Sequence, residues 1–254
     1  MYSTDSYQDI FDQRGERYHA AMRRCPHARL EELALLPGAI EIRPGETLID
    51  APAGGGYLAG ALDPDVEYIA VEPVRSFFAR CPRGEMRRRV RGELKSIPLP
   101  DHCADAVVSL AGLHHEPDVP AVFSELFRVL RPGGRFAMAD VAIGSPPDTF
   151  LNGFVDRHSS AGHRGSFFDE SVADMLGRAG LESISVERCY IGWRFDSEAE
   201  MLGFVRDLFG IDCADDTTLR DAVDEILGVR NDLSSGVIMN WQLLVAKGIR
   251  PQCL

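Results

Sequence analysis

The side chains able to do chemistry in this chain stand at the ends of apolar runs. Asp50 closes Leu48-Ile49-Asp50 and precedes the triplet Gly54-Gly55-Gly56; Glu72 closes Tyr68-Ile69-Ala70-Val71. A glycine-rich turn between strand and helix lets the backbone approach a ligand and presents unpaired helix N–H groups to it. Gly54-Gly55-Gly56-Tyr57-Leu58-Ala59 fits the G-x-G-x-x-[GA] pattern of dinucleotide sites. There a pyrophosphate lies over the turn, and a carboxylate at its entrance opposes it on Coulomb grounds. Asp50 therefore suits a cationic ligand, an ammonium or sulfonium, whereas Glu72 suits the two hydroxyls of a ribose in either case.

Histidines supply the candidate bases. His114 and His115 follow the apolar run Ala104–Leu110, and an imidazole with a pKa near ~6.5 takes up a proton at neutral pH. A packing role in the pocket floor is the competing reading of the same pair. His115, His158, His163 and Trp193 are candidates for contact with a substrate. His158 and His163, with Asp140 and Asp156 nearby, lack the compact spacing of three or four converging ligands, so no metal is expected. Near the amino end, Tyr7, Phe11 and Tyr18 share one helical face, either as core or as a cover over a ligand. Arg14 beside them suits a carboxylate partner.

The elements that position these residues follow from apolar periodicity. Tyr7–Leu36, interrupted at Pro26, predicts two helices. Strands are then expected up to Asp50 and at 68–71, 89–92, 104–110, 135–141, 184–190 and 237–246. Helices are expected at 57–62, 74–80, 121–130, 169–179, 197–209 and 217–227, and a Gly-, Ser- and Pro-rich loop after Val141. This β-α-β alternation, with mostly uninterrupted apolar strands, predicts an α/β fold whose parallel sheet is covered on both faces.

The stretch Leu48-Ile-Asp-Ala-Pro-Ala-Gly-Gly-Gly56 resembles the first motif of class I S-adenosylmethionine-dependent methyltransferases. Later segments follow in the same order over roughly residues 45–142. They are Glu72, Gly92-Glu93-Leu94, Ile97-Pro-Leu-Pro-Asp101 with Ala104–Ser109, Leu113-His114-His115, and Val129-Leu-Arg-Pro-Gly-Gly-Arg-Phe136. The last two are most similar to the ubiquinone/menaquinone-type (methyltransferase type 11-like) members. The resemblance implies a Rossmann-like, doubly wound, mostly parallel seven-stranded sheet. N-terminal helices would cover it, and a helical cap would precede the last strand. It implies a single domain over 1–254, with a helical cover (1–42), a cofactor-binding half (43–142) and a substrate-side half (143–254) carrying the insertion at about 196–232. It implies that S-adenosylmethionine is held by Asp50, Ala51, Pro52, Ala53, Gly54, Gly56, Glu72, Pro73, Glu93, Leu94 and Leu110, with Arg14 and Tyr18 from the cover. Two positions depart from the family pattern. Pro52 replaces a common glycine, which fixes φ and removes an N–H, and Glu93 replaces a common aspartate.

The implied activity is methyl transfer to a small-molecule acceptor, driven mainly by proximity and alignment. A base is needed only where the acceptor must lose a proton. The competing functions are an NAD(P)-dependent oxidoreductase, on the glycine pattern and Glu72, and a non-catalytic binding module, on Pro52.

Composition narrows the partners. The 254 residues hold 27 Lys+Arg against 39 Asp+Glu, a net charge of −12 that repels phosphate backbones and anionic membranes. A small-molecule partner is expected, with no nucleic acid and no membrane, in a monomer or homodimer. The arginine run Arg80, Arg83, Arg87, Arg88, Arg89 and Arg91 is expected to be a solvated helix end. Six scattered cysteines without a C-x-x-C pair read as reduced thiols. No window approaches the ~20 apolar residues of a membrane span and the amino end lacks a signal pattern, so a cytoplasmic protein is expected.

Overall fold

A computed structural model describes residues 7–232 and 236–252; Cys253 lies outside them. Eight strands form one sheet: β1 (Thr47–Asp50), β2 (Glu67–Val71), β3 (Arg87–Val90), β4 (Ala104–Leu110), β5 (Leu130–Asp140), β6 (Glu182–Phe195), β7 (Val229–Asp232) and β8 (Gly236–Ile249). The order is β3-β2-β1-β4-β5-β8-β6, with β7 paired to β8. The neighbours from β3 to β5 are parallel, while β8 runs antiparallel to β5, β6 and β7. The seven expected strands are present. The eighth, β7, lies inside the stretch expected to be helical. It is set off by Gly228 and Gly236, both with positive φ, and four residues are too few for a period-2 signal.

Alternate residues of each strand point to opposite faces, which divides the core. Leu48, Tyr68, Ala106 and Val108 join one apolar cluster; Ile49, Ile69, Val107 and Phe123 join the other. Helices cover both clusters: α1 (Tyr7–Arg24), α2 (Leu30–Ala39), α3 (Arg75–Phe78), α4 (Val119–Val129), α5 (Pro146–Asp148), α6 (Asp156–His158), α7 (Val172–Arg178), α8 (Glu198–Phe209) and α9 (Asp216–Ala222). The starts of α4, α8 and α9 are capped by Asp118, Ser197 and Asp215, whose side chains accept N–H bonds from Ala121, Glu200 and Thr218.

Three expectations change. The loop after Val141 is largely helical, because α5 runs through a π-helical turn, Thr149–Val155, into α6. Ser145 caps it, and Pro146 and Pro147 fall in the first turn, where proline removes no helical bond. Phe150, Leu151, Phe154 and Val155 form its buried face. The helix expected at 57–62 is a 3₁₀ turn, Tyr57–Ala61. The arginine run belongs partly to β3; Arg83, Arg88 and Arg91 are exposed, as expected, while Arg87 and Arg89 serve backbone carbonyls. Arg87 donates to the carbonyl of Val66, Arg89 to those of Phe78 and Ala79, and the Arg89 guanidinium lies 4.5 Å from the Phe78 ring centre.

The carboxyl ends of β1, β2, β4 and β5 open on one edge of the sheet, where ligands bind in folds of this class. Helix α1 crosses this edge and packs on α8, with Asp207 of α8 paired to Arg24 at 2.9 Å.

Candidate active site

At the end of β1 the chain turns through Pro52, between two satisfied donors. The Ala51 N–H bonds the Val108 carbonyl and the Ala53 N–H the Val71 carbonyl, each at 3.0 Å. Gly54 and Gly56 then take positive φ, +55° and +73°, which a side chain would strain. Glu72, wholly buried at the end of β2, accepts three hydrogen bonds: Gly54 N–H at 2.7 Å and the Tyr7 hydroxyl at 3.2 Å on Oε2, and Val74 N–H at 2.8 Å on Oε1. Asp50 accepts the Tyr68 hydroxyl at 2.7 Å on Oδ2, while its buried Oδ1 has no hydrogen-bond partner among the described residues. Burial pushes Asp50 up to about 7 against the pull of Tyr68. It pushes Glu72 up to about 8, against the pull of Val74, Gly54 and Tyr7.

Asp50, Pro52, Ala53, Gly54 and Leu110 line one cavity, which Tyr7, Phe11 and Tyr18 of α1 close from above. The aromatic face of α1 thus serves both readings, since Tyr7 and Phe11 also pack with Val74 and Phe77. The cavity measures about 60 Å³. Sites for small molecules are usually ~300–1,000 Å³, so a nucleoside-sized ligand must displace part of α1.

A second cavity of about 60 Å³ shares Phe11, Tyr18, Arg29 and Ala111 with the first. His114, His115, His163, Arg14, Glu32, Trp193 and Trp241 line the remainder. Asp140, at the end of β5, accepts the N–H groups of Leu113 and His114 at 3.1 and 3.2 Å and holds His114 Nδ1 at 2.6 Å. Ring centres are 4.0 Å apart for His114–His115, 5.3 Å for His115–His163 and 5.7 Å for His114–His163. Burial holds His115 and His163 well below the ordinary histidine pKa, assisted by the neighbouring His114. Arg29 makes a two-point pair with Glu32, Nε–Oε2 at 2.8 Å and Nη2–Oε1 at 2.7 Å, under the Trp193 ring. Arg14 is also buried. Its Nη2 donates to the Leu208 carbonyl at 3.3 Å, and its Nε has no partner among the described residues. Burial, then Arg17, lowers its pKa to about 10, which keeps it a cation at neutral pH.

The expected residues are thus partly gathered. Ala51, Glu72 and Pro73 stand behind the first cavity, and Gly56 abuts Cys81 and Pro82. Exposed Glu93 and buried Leu94 line neither cavity. Two of the expected residues lie away from the first cavity. Arg14 faces the second cavity instead of the first. His158 lines neither, its ring lying 4.4 Å from that of Phe154 and its Nδ1 3.3 Å from the Cys213 carbonyl. Sequence reasoning missed Arg29, Glu32 and Trp241. The Arg-x-x-Glu spacing across the start of α2, from its N-cap Arg29 to Glu32, was the available signal for the first two.

Residues 49–138, from β1 into β5, match the family described as Methyltransferase domain. The 27-O-demethylrifamycin SV methyltransferase of Amycolatopsis mediterranei is 32% identical over 158 residues, 56% of this chain and 58% of that protein. The demethylmenaquinone methyltransferase of Beutenbergia cavernae is 30% identical over 174 residues, 61% of this chain and 69% of that protein. The chain belongs to the class I S-adenosylmethionine-dependent methyltransferases. The fold of this methyltransferase agrees with the YcgJ protein of Bacillus subtilis, at a TM-score of 0.63 and 20% identity over 88% of this chain and 99% of that one.

The site residues fit the cofactor of that family. Asp50 Oδ1, without a partner among the described residues, suits a cationic group, and Glu72, just past β2, suits a diol. Gly112 keeps the wall thin, since a Cβ there would lie 2.5 Å from Pro52 Cγ. The Tyr7 hydroxyl competes with any diol for Glu72. Tyr7→Phe is therefore expected to tighten S-adenosylhomocysteine binding by roughly 3- to 10-fold, the range of one hydrogen bond, with faster association in stopped-flow fluorescence. Weaker binding would show that Tyr7 instead holds the ligand.

The raised carboxyls make stability and affinity depend on pH with opposite signs. The folded methyltransferase binds extra protons between the ordinary carboxyl range and about 8, so this contribution to stability falls as pH rises through that window. Affinity for S-adenosylmethionine rises over the same window, because its ribose and cationic groups select ionised carboxylates. Calorimetry from about pH 6 to about pH 9 is expected to show at least ~10-fold tightening, while thermal melting of the free protein falls. A flat affinity profile would mean that Asp50 and Glu72 are already ionised at pH 6.

Proposed function

We propose that this chain transfers a methyl group from S-adenosylmethionine to a compact aromatic acceptor that carries an acidic group. The observation that carries the reading is the pair of adjoining cavities. One is lined by Asp50, with Glu72 behind it; the other holds Arg14, whose Nε has no partner among the described residues; and they share the walls Phe11, Tyr18, Arg29 and Ala111. S-adenosylmethionine, when bound, supplies an electrophilic methyl group on a sulfonium. Glu72 would hold its ribose and Asp50 its cationic end, with the backbone of Gly54 and Gly112 alongside.

The protein's own residues then select and align the acceptor. The Arg14 guanidinium draws an anionic substituent, since its Nε has no partner among the described residues and Glu32 is already engaged by Arg29. Trp193 and Trp241, stacked on each other with ring centres 4.6 Å apart, give the chamber one aromatic side for an aromatic ring. Helix α1 excludes water from the shared wall, and the histidine cluster faces the acceptor where a hydroxyl must lose its proton. Alignment in such a closed chamber supplies most of the acceleration, up to ~10⁵–10⁸ M in effective molarity in intramolecular systems. A pyrophosphate-bearing dinucleotide fits less well, because Asp50 stands at the entrance of the turn.

The test is transfer of labelled methyl from S-adenosylmethionine across a panel of phenolic acids, neutral phenols and aromatic amines. Labelling confined to the acids is expected. Labelling of amines with the acids untouched would overturn the acceptor class.

A further inference from the structure

The three buried histidines of the second cavity carry an inference that goes beyond methyl transfer. We infer that His114, His115 and His163 bind a divalent transition-metal ion of the zinc type, with an open coordination position toward the acceptor chamber. One ring nitrogen from each residue lies within 4.8 Å of the other two. Around a tetrahedral ion with Zn–N distances of ~2.0–2.1 Å, such nitrogens stand roughly 3.4 Å apart. Inward rotation of the rings by about an ångström closes the difference.

Hydrogen bonds to Asp140 and Asn152 fix which nitrogen is free. A carboxylate oxygen only accepts, so Asp140 Oδ1, 2.6 Å from His114 Nδ1, places the proton on that nitrogen and leaves Nε2 with its lone pair. His163 is held in the same way by an amide. Asn152 accepts the Gly165 N–H at 2.9 Å on Oδ1 and donates from Nδ2 to the Gly165 carbonyl at 3.0 Å, which orients the amide. Its Oδ1 then faces His163 Nδ1 at 3.2 Å, so that nitrogen carries the proton and Nε2 is again free. Ligand histidines in metal sites are oriented by partners of this kind. The third ring supplies an independent sign. His115 Nδ1 is buried with no hydrogen-bond partner among the described residues, a state that packing alone makes unfavourable.

The donor set selects the ion. Three imidazoles with no carboxylate among them suit zinc and its neighbours and do not suit magnesium or calcium, which take oxygen ligands. Three protein ligands leave one position for water or substrate, the pattern of catalytic zinc sites. All three histidines and Arg14 line the chamber assigned above to the acceptor. For its role, and not for its existence, the site rests on that assignment. A hydroxyl bound at the open position would ionise more readily. Its O–H bond breaks, the electron pair stays on oxygen, and the proton leaves to water.

The test uses the full-length, tag-free protein treated with chelator and titrated with Co²⁺, without cofactor or acceptor. The expected result is one equivalent of Co²⁺ giving the intense visible absorption of four-coordinate cobalt, displaced by Zn²⁺. His163→Gln is expected to abolish the band. Asp140→Asn and Asn152→Ala, which leave the ligands in place, are expected to weaken binding by ~10- to 100-fold. His27→Ala probes the separate, more exposed group His27, Asp196 and Glu200 and is expected to leave the titration unchanged. Circular dichroism confirms that each variant is folded. No band in the wild type, a band retained in folded His163→Gln, or a band lost in His27→Ala would overturn the site. Because neither cofactor nor acceptor is present, such a failure leaves the methyltransferase reading intact, and absent cofactor binding would leave the metal result standing.

Discussion

Glu72→Ala is expected to weaken S-adenosylhomocysteine binding by ~100-fold, about 2.7 kcal/mol, measured by titration calorimetry above the pH at which Glu72 ionises. Glu72 is fully buried, follows β2 directly, and already accepts from Gly54, Val74 and Tyr7, so its carboxylate is oriented before a ligand arrives. Hydrogen bonds to a charged acceptor contribute ~1.5–3 kcal/mol each, and a ribose diol offers two. Part of the loss comes through the loop, because Gly54 N–H and Val74 N–H lose their acceptor as well. Glu72→Gln separates the two causes. It keeps one acceptor oxygen but no charge, and is expected to fall between wild type and Glu72→Ala. A change below about threefold in folded Glu72→Ala would remove Glu72 from the binding site.

Glu32→Ala is expected to cost ~3–5 kcal/mol of stability, the usual penalty for stranding one member of a buried ion pair. For a chain of this size that corresponds to a fall in Tm of roughly 6–20 °C. Glu32 is 0% exposed and Arg29 6% exposed, so removing the carboxylate leaves the guanidinium among Tyr18, Met22 and Trp193 with no anion to meet it. Burial alone would lower the Arg29 pKa; the Glu32 carboxylate, and secondarily Tyr18, more than reverse this, so the charge is not shed. The double variant Arg29→Met/Glu32→Leu removes both charges and keeps the volume, and is expected to recover most of the loss. Differential scanning calorimetry of the three proteins checks this. A double variant no more stable than Glu32→Ala would show that the volume, and not the stranded charge, sets the cost.

The strands of the cofactor half were legible because their signals are local. Leu48–Asp50, Tyr68–Val71 and Ala104–Leu110 are apolar runs broken by polar or glycine-rich turns, and they form the parallel centre of the sheet. Asp50 and Glu72 could be placed with them because each ends such a run. The 146–158 helix was hidden by Pro146-Pro147, which read as a breaker although its first-turn position removes no helical bond. Strand β7 was hidden by its brevity, since its pairing with Val237–Met239 depends on a hairpin that no four-residue pattern announces.

The acceptor chamber was legible only in part, because tertiary contacts build it. His114 and His115 were singled out, but His163 reaches them through the 146–158 helix and the Asn152–Gly165 hydrogen bonds, none of which the sequence places. Arg14 suits a carboxylate partner by sequence alone, and its helical turn carries it past Phe11 to the second cavity. Arg29 and Glu32 resemble an ordinary surface pair in sequence, and only the folding of α2 under β6 buries them.

The most direct measurement is calorimetric titration of S-adenosylmethionine and S-adenosylhomocysteine into the wild-type protein, with NADH as the control. Saturable one-to-one binding of both sulfur nucleosides, no heat with NADH, and binding that tightens as pH rises toward about 8 are predicted from Asp50 and Glu72. A folded protein that binds neither sulfur nucleoside, or that binds NADH in their place, would contradict the assignment of this site.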